Sequence, residues 1–165
     1  MFRKTVVALA FIFFVISAAA QAGPAVVAGN DLKKVVPDSY FFRGLSATVQ
    51  ARNSAAVKYP DGFFVIAALV DTSGYSTDIK SKYSGLFITE KTLSMGGKTI
   101  VPGQYGMGYT PEGKFHILDV AGNELAVTDM VADSKLARAV PLTITTNNGE
   151  VRLYQGKKYI TITAQ

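Results

Sequence analysis

No cysteine occurs in this chain, and histidine occurs once. The first absence excludes disulfides, thiolate nucleophiles, cysteine-held metals and a lipid-modified N-terminal cysteine. The second leaves His116 as the sole imidazole through which a metal site or an acid–base dyad could be built. Clustered charge is missing too. The formal net charge is +5, but beyond Arg3-Lys4 the only adjacent basic pairs are Lys33-Lys34 and Lys157-Lys158. A dispersed excess of this kind suits a solvated surface, and nucleic acid is excluded as a partner because its footprint needs clustering. No internal repeat and no low-complexity tract is present, which excludes solenoids and arrays.

The N-terminus reads as an export signal. Arg3 and Lys4 precede an uncharged apolar run, Thr5 to Ala20, and Ala20-Gln21-Ala22 supplies the small residues that a signal peptidase reads. The run is shorter than the roughly 20 residues a membrane span needs. Cleavage before Gly23 is therefore expected, with no membrane span in the mature chain and a periplasmic or extracellular location. Residues 23–38 carry Gly, Pro, Asn and Asp without a sustained period and read as a flexible arm. Residues 39–165 read as one domain, large enough to be held by its core alone.

From Ser39 onward the period is two. "LSATVQAR" alternates as a half-buried strand does, and "FFVIAALV" (Phe63 to Val70) is apolar at every position, as in a strand covered on both faces. Turn chemistry punctuates the chain at "YPDG", "MGGK", "TPEG", "NNG" and "QGK". The last two imply three successive antiparallel strands at the C-terminus. The segment after Asp71 reads as a loop with at most one helical turn. Glu124 to Val140 fits either a strand ending near Val131 or a helical turn begun by Asp133. The predicted fold is all-β: an antiparallel sandwich, or alternatively a small closed barrel.

Each motif that could carry chemistry fails on a named residue. Gly108 to Phe115, "GYTPEGKF", reproduces the front of a phosphate loop, yet Pro111 removes an N–H, Glu112 brings negative charge and Phe115 lacks the hydroxyl. It reads as a hairpin turn. "GLSAT" misses the last glycine of a nucleophile elbow, and its Ser46 lies in an alternating strand. Asp71 could open a calcium loop, but Ser76 replaces the turn glycine and Lys82 stands where the bidentate Glu belongs, leaving only a casual Asp71–Asp78 pair. His116 shares a strand face with Leu118 and Val120, while Asp119 points the other way. No catalytic residue, metal site or cofactor is predicted.

The strand "GQYGMGYT" is the candidate binding element. Tyr105, Met107 and Tyr109 share one face, and Gly106 and Gly108 the other. Two interior glycines mark a close approach by another backbone. Either the tyrosines form a stacking platform for a sugar or peptide, or they are core and the glycines let two sheets pack. If a glycan binds, Tyr105 and Tyr109 are the first choice and Tyr75 and Tyr83, on the loop, the second.

The stretch "IVPGQYGMGYTPEGKFHILD", Ile100 to Asp119, resembles the Pro-Gly-x-Tyr strand–turn–strand of small prealbumin-like and carboxypeptidase-regulatory sandwich domains. The resemblance implies a sandwich and a mostly non-catalytic module, and its motif is structural, carrying no functional residue. The expectation is thus an exported, non-catalytic binding or structural module whose partner is a glycan or an envelope protein. Two alternatives stand beside it: a small barrel carrying an apolar ligand, and a secreted hydrolase whose carboxylates converge without a linear motif.

Overall fold

The computed structural model describes residues 23–165, and the expected export signal lies outside them. In chain order the elements are β1 (Ala25–Val27), α1 (Gly29–Val35), β2 (Ser39–Phe42), β3 (Leu45–Lys58), β4 (Phe64–Val70), α2 (Thr77–Lys80), β5 (Gly85–Thr89), β6 (Leu93–Met95) and β7 (Lys98–Ile100). There follow β8 (Gly103–Tyr109), β9 (Lys114–Leu118), β10 (Glu124–Asp129), β11 (Val131–Ala132), β12 (Val140–Asn147), β13 (Glu150–Gly156) and β14 (Lys158–Ala164). All pairings are antiparallel. One sheet runs β1-β3-β4-β5-β8-β9-β10, with β2 attached to β3; the other runs β12-β13-β14-β6-β7, with β11 attached to β14. The sheets remain separate and no barrel closes, so the fold is the sandwich and the barrel alternative is set aside.

The turns form where the residues demand them. Asn148 and Gly149 take φ of 49° and 82°, the mirror-image turn that matches the twist of β12 and β13. "TPEG" closes as a turn, with Gly113 N donating to Thr110 O at 2.9 Å and Thr110 N to Lys114 O at 3.0 Å. Gly108 to Phe115, read as a hairpin turn, is the turn of the β8–β9 hairpin. Glu124 to Val140 splits between the two readings: β10 and β11 come first, and Leu136 N then donates to Asp133 O in a turn.

Two cores explain why β4 is apolar throughout. Val65 and Ala67 point between the sheets, where they meet residues such as Phe87, Met107 and Leu153. Ile66, Ala68 and Val70 point to the opposite face, into a second core with Phe42, Tyr75 and Tyr83. That outer core is roofed by the β2–β3 hairpin, by α1 and by the segment around α2. Here the expectation for residues 23–38 needs correcting. The segment is not an arm without regular structure: β1 pairs with the end of β3, and α1 lays Leu32 and Val35 against the outer core. Each element is too short to show a period in sequence.

Gly106 and Gly108 do permit a close approach, but by the roof and not by the second sheet. A Cβ on Gly106 would sit 2.6 Å from the Phe42 ring, and one on Gly108 would collide with the Lys82 carbonyl and the Tyr83 amide.

Candidate functional site

The four tyrosines named as candidates for a glycan are turned inward. Tyr105 lies between the sheets, 8 % exposed, with its hydroxyl donating to Val101 O at 2.8 Å. Tyr109 packs against the same core, 5.3 Å from the Phe115 ring, and burial pushes its phenol well above the usual range. Tyr83 stacks on Phe42 at 3.9 Å, and Tyr75 meets Tyr83 edge-on at 5.1 Å. The Tyr75 hydroxyl is spent on Phe42 O at 2.9 Å. The physical reason is burial: Tyr105, Tyr75 and Tyr83 are 8, 6 and 1 % exposed, so they offer no open face to a sugar.

A sheet face that keeps partial exposure belongs to β12, β13 and β14. Alternation sends Val151 and Leu153 of β13, and Ile160 and Ile162 of β14, into the core. The opposite phase carries Glu150, Arg152 and Tyr154 on β13 with Tyr159, Thr161 and Thr163 on β14. The register aligns Thr145, Arg152 and Thr161 in one row, and Thr143, Tyr154 and Tyr159 in the next.

Within these rows the polar groups are tied together. Arg152 grips Glu150 with two hydrogen bonds, Nε to Oε1 at 2.9 Å and Nη2 to Oε2 at 3.0 Å. Its guanidinium lies 4.4 Å from the centroid of the Tyr159 ring. Thr161 Oγ1 donates to Glu150 Oε1 at 3.0 Å, and Tyr154 OH donates to Asp133 Oδ2 at 2.9 Å. Tyr154 and Tyr159 rings are 5.1 Å apart. The result is a plate of guanidinium and phenol, held in one orientation and bordered by threonine hydroxyls, in which Arg152 and Tyr159 are half-buried and Tyr154 is buried beneath them.

The electrostatics fit a fixed surface better than proton transfer. The Arg152 hydrogen bonds, then that of Thr161, hold the Glu150 carboxyl below its ordinary value. The Lys135 N–H, followed by the Tyr154 hydroxyl, does the same for Asp133. A glycosidase acid needs the opposite shift. The sole histidine is on the other sheet: His116 Nδ1 lies 2.7 Å from Glu124 Oε2, and its Nε2 is buried with no hydroxyl against it among the described residues. No group of three His, Cys, Asp or Glu able to hold a metal occurs among the described residues.

These shifts carry a pH prediction. A carboxylate with a lowered folded pKa adds stability that is fully present above its unfolded value and is lost as pH falls through the folded one. The unfolded references are 3.8 for Asp133 and 4.5 for Glu150. Urea midpoints are therefore expected to hold level down to these values and to drop below them, less steeply in Asp133→Asn and Glu150→Gln. Urea titrations across acid pH check this.

Sequence reasoning missed this plate, although its signal was present. "EVRLYQGKKYITIT" contains E-x-R-x-Y and Y-x-T-x-T in the outward phase, and the short turn between them fixes which residues face each other. Comparison with family models, curated proteins and solved structures gives no match for the chain.

Proposed function

We propose that this protein is an exported, non-catalytic β-sandwich module that binds a polyhydroxylated ligand, an envelope glycan, on the open face of its second sheet. The observation that carries the reading is the Arg152–Tyr159 stack, pinned by Glu150 at 2.9 and 3.0 Å and flanked by threonines. Sugars combine apolar faces with dense hydroxyls, and a cation–phenol stack with neighbouring hydroxyls answers both. Pre-orientation by Glu150 lowers the ordering cost of binding. Export rests on Arg3-Lys4, the apolar run and the Ala20-Gln21-Ala22 cleavage pattern.

Titration calorimetry with soluble envelope polysaccharide tests the reading. Tyr159→Ala and Arg152→Ala are each expected to weaken binding by about tenfold or more, since a loss of ~1.4 kcal/mol is a factor of ten. Thermal unfolding of both variants should stay near that of the wild type, because these side chains lie outside both cores. Absence of binding by the wild type, or binding by both variants as tight as the wild type's, would sink the proposal.

A further inference from the structure

A concavity lies between α1 and the outer face of the first sheet, away from the Arg152–Tyr159 stack. It has a volume of about 470 Å³, within the usual range for small-ligand sites. Its floor is the cross-strand row Ala25–Lys58–Phe64 with Val27 beside it, and its wall is formed by Lys34 and Val35 of α1. Ala25, on the groove floor, stays exposed.

The chemistry of the lining narrows the occupant. No serine, threonine, asparagine, glutamine or tyrosine contributes to it, so it offers no side-chain hydroxyl or amide to a sugar. The aliphatic and aromatic floor suits a hydrocarbon body. The polar groups are two lysines and Asp31. Asp31 is held by Lys34 at 2.8 Å, while Lys58 makes no ion pair among the described residues and poises its ammonium 5.5 Å over the Phe64 ring. The groove thus joins an apolar trough to one cation without a counter-charge.

We infer that this groove is a second binding site, for a free aliphatic monocarboxylate whose chain lies along β1 and Phe64 and whose carboxylate meets Lys58. The inference is independent of the glycan reading, because the two surfaces are on different sheets and share no residue.

Methyl and amide NMR titrations with octanoate test it, with 1-octanol as the uncharged tail and acetate as the tail-less charge. Octanoate is expected to shift the methyl signals of Ala25, Val27 and Val35, with 1-octanol and acetate binding markedly more weakly. Lys58→Gln should weaken octanoate about tenfold, a charge-assisted hydrogen bond being lost, without altering 1-octanol. Ala25→Asp, which adds a carboxylate to the trough in the same cross-strand row as Lys58, should also weaken octanoate. The inference is overturned if octanoate leaves those methyls unmoved, if 1-octanol binds as well as octanoate, or if Lys58→Gln has no effect in a variant whose amide spectrum matches the wild type.

Discussion

Replacing Gly108 by alanine is expected to cost at least ~3 kcal/mol or to prevent folding, from the addition of a single methyl group. That methyl would run into the Lys82 carbonyl carbon and oxygen and the Tyr83 amide nitrogen. None of these is the end of a pliant side chain, so relief requires the segment after α2 to lift from the sheet. Tyr83, 1 % exposed and stacked on Phe42, would lift with it. Gly97→Ala is the control. Gly97 has φ of 76° and nothing within 4 Å, so its alanine pays only the left-handed backbone cost of about 1 kcal/mol. Urea denaturation of both variants measures the difference. Equal losses would mean that the roof does not lie on β8.

Phe42→Ala is the second large effect, expected at about 3–5 kcal/mol. Phe42 has no solvent exposure, and its ring is the centre of the outer aromatic group, 3.9 Å from Tyr83 and 6.0 Å from Tyr75. The hairpin that carries it is short, so little else in β2 can close the gap. Its neighbour Phe41 points outward at 61 % exposure, and Phe41→Ala should change stability by less than about 0.5 kcal/mol. A loss under ~1 kcal/mol for Phe42→Ala would show that the β2–β3 hairpin contributes little to the fold. Both large effects fall on the roof of the first sheet, because a sandwich with one doubly covered sheet depends on a third layer.

That layer was only partly legible in the sequence. "FFVIAALV" announced two covered faces, and the glycines of β8 announced a close approach, but neither says what does the covering. The cover consists of pieces too short to carry a period: seven residues of α1, four of β2 and four of α2. The turn between β2 and β3 was hidden for a different reason. Arg43 and Gly44 take φ of 49° and 82° there, and arginine is not a residue from which a left-handed turn is read. Arg43 N donates to Val120 O at 2.9 Å, so contact with the β9–β10 turn supports a conformation that local preference disfavours.

The candidate site was obscured by composition. The polar segment after Asp71 made Tyr75 and Tyr83 look solvent-facing, yet both rings serve the outer core, and Tyr75 pins the β2–β3 turn through Phe42 O. Arg152 and Tyr159 looked unremarkable along the chain because their contact is made across two strands. Only the pairing of Tyr154 with Tyr159 and of Arg152 with Thr161 brings the plate together. Turn glycines show where a strand reverses; the register that follows decides which outward side chains meet.

The open face of β12, β13 and β14 as the place where ligand is held is tested most directly by amide NMR of the wild type with soluble envelope polysaccharide. Perturbations are predicted to concentrate at Arg152, Tyr159, Thr161 and Thr145. Perturbations confined to the first sheet, or a spectrum that saturating polysaccharide leaves unchanged, would contradict it.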